Sequence, residues 1–358
     1  MNPERRILIY RLGSLGDTVV ALPCFKFIRN AFPSAHITIL TSRPVQAKAA
    51  PLASVLGNSR LFDEVIDYPV RLRQLSQIIR LRDRIRAGKF DLLVHLTAAR
   101  GLLSSVRDYL FFRWCGIPKI IGVPVKREDL RVVQTDTGLY EAESVRLARR
   151  LRSLGEINLS HPSCWDLELT AEEKNEAEQL LAAAAIQPPF IALSLGSKLL
   201  VKDWTSENWK NLLARLSSCY SALAIVALGA EEEREKTDSI LAHWKGTVAN
   251  LCGRTSPRVS AAILEKASLF VGHDSGPMHL ASAVGTPCVA IFSACNPPGQ
   301  WFPRGDKNRI LLPEKLCSVC AFLGCRQINN KCILSITVDQ VQEEIKRQLE
   351  TVLLASTA

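Results

Sequence analysis

The sequence predicts an α/β protein of two halves, each a parallel sheet flanked by helices. Three observations carry that expectation. Short apolar strands alternate with helical patterns throughout, the rhythm of parallel sheets joined by crossover helices. At 358 residues the chain has room for about two domains. The rhythm breaks once, at the polar helix TAEEKNEAEQLLAAAA of residues 170–185.

Strands are expected at Ile7–Leu12, His36–Thr41, Glu64–Tyr68, Leu92–Leu96 and Ile120–Val123 in the first half. Those of the second half are expected at Ile191–Leu195, Ala222–Leu228, Leu269–Gly272, Cys288–Phe292 and Arg309–Leu312. A helix from Thr18 to Phe32 follows the first strand. The polar helix leads through Gln187-Pro188-Pro189 into a fresh buried strand, which marks a boundary between residues 1–175 and 186–337. An amphipathic helix, Asp339 to Leu354, closes the chain with a capped start at Thr337. The two halves are alike in Rossmann-like architecture and not in residues.

Composition places the chain among globular proteins, with 47 % hydrophobic and 22 % charged residues. No apolar run reaches the length of a bilayer span, and residues 1–12 lack a signal peptide's apolar core. A cytoplasmic protein is the expectation. Of eleven cysteines, Cys24, Cys115, Cys219, Cys252 and Cys288 lie in apolar segments and read as small core residues. The net charge of +10 is concentrated in the N-terminal half. There Arg71, Arg73, Arg80, Arg82, Arg84, Arg86 and Lys89 interleave with Leu72, Leu75, Ile78, Ile79 and Ile85, and Arg146, Arg149, Arg150 and Arg152 form a second cluster. Such helices fit an anionic membrane surface or serve as solvated faces. No nucleic-acid motif or aromatic stacking platform accompanies them, so nucleic acid is not an expected partner.

Four polar segments each follow a strand. FVGHDSGPMHLASAVGTPCVAIF (residues 270–292) reads as strand, polar turn, helix and strand, with proline at the first helical position. The backbone N–H groups of Met278, His279 and Leu280 at that helix start can hold a phosphate, with Asp274 and Ser275 beside them. An ordinary N-cap gives the same local pattern. Arg11-Leu12-Gly13-Ser14-Leu15-Gly16-Asp17 places two glycines three apart before a carboxylate, without the dinucleotide spacing. A carboxylate outside the carboxyl end of the first strand stands where open α/β sheets bind ligands, and it can take a proton from an attacking hydroxyl. Asp17 also fits a plain helix cap. Gly196-Ser197-Lys198 with Lys202 suits a diphosphate. Gly229-Ala230-Glu231-Glu232-Glu233 offers a carboxylate to a ribose or an acidic helix start.

Together these segments resemble glycosyltransferase family 9, the heptosyltransferases of the lipopolysaccharide inner core. The resemblance rests on RILIYRLGSLGDTVVALPCFKFIRNAFPSAHITILTS, GSKLLVKDWTSENW, FVGHDSGPMHLASAVGTPCVAIF and the C-terminal CSVCAFLGCRQINNKC. It implies a GT-B fold, two Rossmann-like domains with parallel sheets facing across a cleft, the C-terminal helix (residues 338–358) packing back on the first. It further implies an inverting, metal-independent transfer of heptose from ADP-heptose to an anionic glycolipid core acceptor at the inner membrane face. Asp17 falls on the family's general base and Lys202 on the residue stabilising the leaving diphosphate. Gly16, Ser197, Lys202, Glu231, Asp274, Ser275, Gly276 and His279 fall on the donor side. No cofactor beyond the nucleotide sugar is implied. His95 and Thr97 depart from the aspartate and glutamine of many members, so His95 and Arg100 mark an acceptor side of open identity. Within catalysis another nucleotide sugar, for O-antigen or exopolysaccharide, stays open; outside it, so does a non-catalytic binding protein. The spacing of Cys317, Cys320, Cys325 and Cys332 is compatible with a structural zinc or with a loop of reduced thiols.

Overall fold

The computed structural model describes residues 5–42, 50–57, 60–70, 72, 74–197, 199–314 and 332–356. The chain divides into two compact units, Met1–Trp165 and Asp166–Ala358. The first carries β1 (Arg6–Tyr10), β2 (His36–Ser42), β3 (Glu64–Tyr68), β4 (Leu92–His95) and β5 (Lys119–Ile121), all parallel in the order β3-β2-β1-β4-β5. Its helices are α1 (Leu15–Val20), α2 (Leu22–Ala31), α3 (Leu52–Leu56), α4 (Leu75–Ala87), α5 (Leu102–Trp114), α6 (Arg127–Leu130) and α7 (Glu143–Arg149). The helix expected over residues 18–32 is broken at Ala21. Pro23 stands in the first turn of α2 and has no N–H with which to continue the α1 ladder.

The second unit holds β6 (Phe190–Ser194), β7 (Ala224–Ala227), β8 (Val248–Asn250), β9 (Leu269–His273), β10 (Cys288–Ile291) and β11 (Arg309–Leu311). They are parallel in the order β11-β10-β9-β6-β7-β8. Its helices are α8 (Ala171–Ala183), α9 (Ser206–Tyr220), α10 (Arg234–Leu241), α11 (Pro257–Lys266), α12 (Gly276–Ala283) and α13 (Val338–Ser356). Strand β8 is absent from the sequence expectations. It is a three-residue edge with only Ala249 buried, too short to show a pattern.

The polar helix α8 begins in a Thr170–Glu173 capping box and belongs to the second unit. Arg258 of α11 holds it there through Glu173 and the carbonyls of Leu167 and Glu168. The change of unit therefore falls at residues 165/166, ahead of that helix. The closing helix α13 buries Val341, Ile345 and Leu349 in the second unit's core, beside Trp209, Leu216 and Ile291. Its apolar face serves that unit. Cys24, Cys115, Cys252 and Cys288 are buried as expected, but Cys219 is exposed. It lies in the last turn of α9, beyond the buried Trp209, Leu212, Leu213 and Leu216 stripe.

In both sheets the crossover direction reverses next to the central strand, between β1 and β4 and between β6 and β9. Loops at such a reversal diverge and leave a crevice outside the carboxyl ends of the strands. Of the four polar segments singled out above, three follow β1, β6 and β9 at these reversals, and the fourth follows β7. Among the described residues no helix is long and apolar enough to cross a membrane.

Candidate active site

Each unit gathers a polar cluster at its own reversal point. In the first, β1 runs into Arg11, whose guanidinium is fully buried. Its Nη1 donates to the carbonyl of Leu96 beyond β4, at 2.5 Å, and its Nη2 donates to the carbonyl of Asp17. Arg11 thereby fastens the end of one strand and the start of α1 to each other. Gly13 follows at φ +137°, a conformation that favours glycine, and a Cβ there would stand 2.3 Å from Asp17 Cβ. The close turn puts Asp17 at the third position of α1. Its Oδ2 accepts from the Ser14 amide at 2.8 Å and the Ser14 hydroxyl at 3.1 Å. Its Oδ1 lies 3.8 Å from Arg11 Nη2, and the side chain keeps 27 % exposure. Asp17 is a helix cap and a reachable carboxylate at once. Gly16, expected among donor contacts, is buried within α1.

The β4 end forms a charged knot. His95 is buried and donates from Nε2 to Asp108 Oδ2 at 3.2 Å. Burial lowers its pKa, so the ring is neutral and its Nδ1 has no partner. Arg100 reaches the same Asp108 oxygen at 2.6 Å and Arg107 the other at 2.8 Å. Burial alone would raise the Asp108 carboxyl, yet the bonds from His95 and Arg107 and the Arg100 charge hold it below its ordinary value. Tyr10 and Tyr68 share a 3.0 Å hydroxyl bond beside it, with Arg100 3.5 Å from the Tyr10 hydroxyl. Arg150, buried and lowered to about 10 by desolvation and then by Arg146, donates to the Thr97 carbonyl. The structure thus brings the two expected acceptor-side residues, His95 and Arg100, onto one carboxylate.

In the second unit Lys202 ends a 3-10 turn and places Nζ 2.5 Å from Asp274 Oδ2, both side chains nearly buried. Asn296 donates to the same oxygen at 3.3 Å. Ser275 is the N-cap of α12, its Oγ buried and without a partner. Gly276 opens the helix and the buried His279 sits in its first turn, edge-on to Trp301 at 6.2 Å. An unpartnered hydroxyl, a helix N-terminus and a lysine near the β6/β9 reversal make an anion-binding set. Ser197 lies half-buried on the β6 loop and donates to the Leu199 carbonyl at 2.9 Å.

His273 ties these loops together. Trp204 N–H donates to its Nε2 at 3.2 Å, so the proton is on Nδ1, which donates to the Gly196 carbonyl at 3.3 Å. Complete burial pushes its pKa down to about 4 and keeps it neutral. Of the three glutamates after β7, Glu231 faces outward and pairs with Arg234. Glu233 caps Ala230 N–H at 3.0 Å, and its carboxylate occupies the space that a Cβ on Gly196 or Gly229 would take. The geometry brings Glu233, and not the expected Glu231, to the ends of β6 and β7.

Cys317, Cys320 and Cys325 lie outside the described residues. The fourth cysteine, Cys332, accepts from Ala294 N–H through its sulfur at 3.3 Å. Among the described residues no group of three or more His, Cys, Asp or Glu could hold a metal.

The sequence model of glycosyltransferase family 9 (heptosyltransferase) matches residues 78–328. The chain belongs to glycosyltransferase family 9. It is similar to lipooligosaccharide heptosyltransferase 2 of Campylobacter jejuni, 28 % identical over 96 % of this chain and 98 % of that one. Lipopolysaccharide heptosyltransferase 1 of Pseudomonas aeruginosa is 24 % identical over 89 % of this chain and 87 % of its own. The crystal structure of a family 9 glycosyl transferase from Veillonella parvula superposes with a TM-score of 0.71 at 20 % identity, covering 99 % of each chain. Two Rossmann-like units of the GT-B class are therefore the family 9 fold, and this chain is a glycosyltransferase.

Sequence reasoning gave no role to Arg11, Asp108, Asn296 or His273, and offered Glu233 only as one of three glutamates. Arg11 carried a usable signal: a charged residue ending a buried central strand needs partners. Asp108 and Asn296 are isolated polar residues brought in by the crossovers, and nothing local marks them.

Proposed function

We propose that this enzyme transfers a heptose from ADP-heptose to an anionic lipopolysaccharide core acceptor, with inversion at the anomeric carbon and without a metal. The reading rests above all on the second unit's anion set, Lys202 with Ser275 and the α12 N-terminus at the β6/β9 reversal. Lys202 is compensated by Asp274. An arriving diphosphate draws on the same ammonium, and charge building on its departing oxygen strengthens that interaction during transfer. Glu233 offers its carboxylate to the ribose hydroxyls from the β7 loop. In the first unit Asp17 accepts the proton of the acceptor hydroxyl as it attacks. Arg100 and Arg107, gathered with His95 around Asp108, present guanidinium groups to the acceptor's acidic substituents. The proposed setting is the cytoplasmic face of the membrane that holds the acceptor.

A nucleotide panel tests the donor. A ligand at 100 times its Kd stabilises by about 2.7 kcal/mol, about 5–10 °C for a unit of this size. ADP and ADP-heptose are expected to give that shift, and ADP-heptose to be turned over with a core acceptor. A comparable shift with GDP, UDP or dTDP and none with ADP replaces the donor assignment. Tight ADP binding without product from any donor turns the enzyme reading into a binding-protein reading.

A further inference from the structure

Helix α5 turns apolar side chains outward, where a helix that meets only water presents a polar face. Its inner stripe, Ser105, Asp108, Phe112 and Cys115, is buried. Its outward positions Leu103, Val106, Leu110 and Trp114, spaced i, i+3, i+7 and i+11, are apolar and exposed, Leu103 by 88 % and Leu110 by 59 %. Leu102 and Tyr109 widen the exposed strip. A soluble surface helix turns polar residues outward, and contiguous apolar surface of this kind marks an interaction site.

The surroundings say what the partner is. Arg107 and Arg113 flank the ridge on α5 itself. Helix α4 packs alongside, and its Arg82 lies over the Trp114 ring at 4.6 Å. Its Arg80, Arg84 and Arg86 are exposed. The two helices carry six arginines against two aspartates, and Asp83 and Asp108 are both held by arginines. The excess is regional. Residues 1–165 hold 26 lysines and arginines against 14 aspartates and glutamates, residues 166–358 hold 19 against 21. An apolar ridge with an interfacial tryptophan and tyrosine, edged by arginines, fits an anionic bilayer surface, where the ridge enters the acyl boundary and the guanidinium groups stay at the phosphates. At 13 residues α5 is about 20 Å long and lies in the surface, too short to cross it.

We propose that α5 is a membrane-insertion helix, docking the first unit on anionic phospholipid through Leu103, Val106, Leu110 and Trp114, with the α4 arginines as its electrostatic flank. The inference rests on the proposed function only in that a lipid-linked acceptor gives the docking its use. The apolar contact falls on α5, outside the basic segment 71–89 that the sequence singles out.

The test uses the full chain and vesicles of phosphatidylethanolamine with phosphatidylglycerol, against phosphatidylcholine alone, without nucleotide sugar. The parent is expected to co-sediment with the anionic vesicles and to keep part of its binding at high salt. Leu103→Glu with Leu110→Glu should weaken binding at least about tenfold at equal salt, with an unchanged melting temperature because both side chains are exposed. Brominated lipid should quench parent fluorescence, and Trp114→Phe should remove most of that quenching. Equal vesicle binding by the double variant, unchanged quenching in Trp114→Phe, or no parent binding at low salt overturns the proposal. A parent that ignores vesicles and dimerises, with a monomeric double variant, assigns the ridge to self-association and overturns it also. Donor binding and turnover on a soluble acceptor are read separately, so failure of the donor assignment leaves the vesicle result standing, and the converse.

Discussion

Replacing Asp17 by asparagine separates the two jobs this residue holds. The amide oxygen can still accept the Ser14 N–H that Oδ2 now takes at 2.8 Å, so the cap of α1 survives. What disappears is the negative charge. Two unit charges about 4 Å apart attract by about 4 kcal/mol at an effective dielectric constant near 20. Asp17 keeps 27 % exposure beside Arg11, and screening with desolvation reduces the net loss to on the order of 1 kcal/mol. That is a fall of about 2–4 °C in the melting of a unit this size. Loss of a general base costs far more in rate, about 10²–10⁴-fold, or about 3–5 kcal/mol of barrier. Asp17→Ala removes the cap as well, for about 1 kcal/mol more. The expected pattern is two melting temperatures that step down, parent to Asn to Ala, over turnovers that drop once and then stay level. Calorimetry reads the first, and ADP release from ADP-heptose with a delipidated core acceptor reads the second. ADP affinity should match the parent in both variants. Turnover within about threefold of the parent in Asp17→Asn, against the loss a general base implies, or turnover that follows melting temperature across the pair, would falsify the base assignment and leave a cap.

Lys202→Met removes the ammonium from the nearly buried Asp274 carboxylate, to which Asn296 still donates, and should cost about 3 kcal/mol in stability of the second unit. Its turnover should fall by about 10²–10³-fold, more than donor KM rises, because the ammonium acts on charge that grows during transfer; a pure KM effect would assign Lys202 to ground-state binding. His273 supplies a pH signature. Its folded pKa of about 4 lies below the unfolded value, so the unfolded chain takes the proton first. Stability from this site is complete above about pH 6.5 and is lost as pH falls toward 4, by about 3 kcal/mol in all. Buried His95 adds a loss of the same sign in the first unit. Urea unfolding between pH 7 and 4 should show the slope, and His273→Phe should flatten it at a lower overall stability; an equal slope in that variant removes His273 as its source.

Ten of the eleven strands of the described residues were legible in the sequence, because a buried parallel strand shows as an apolar run and a ligand loop as the polar break after it; the reversal points depend on strand order, which apolar runs do not carry. Asp17, Lys202, Asp274 and Ser275 were singled out for the same reason, since each lies in a polar segment that comes after a strand. The choice among Glu231, Glu232 and Glu233 was not. It depends on how a short 3-10 turn aims each side chain, and three identical residues give no pattern to read. The break at Ala21 was marked by Pro23, though the apolar period ran on through it. The face of α5 was hidden by arginines at 80–86 that draw the eye to α4, while the exposed leucines of α5 look in sequence like core.

The Glu233 carboxylate fills the volume that a methyl group on Gly196 or Gly229 would need. The atoms it would displace are the far end of a flexible side chain, so alanine at Gly196 should leave the backbone standing and evict the carboxylate. The substitution is in effect a remote copy of Glu233→Gln: donor affinity falls with little change in melting. Two variants that remove one interaction cannot remove it twice. Gly196→Ala and Glu233→Gln together should weaken the donor no more than either alone, and this epistasis would mark the β6 and β7 loops as a single heritable unit whose residues cannot drift independently.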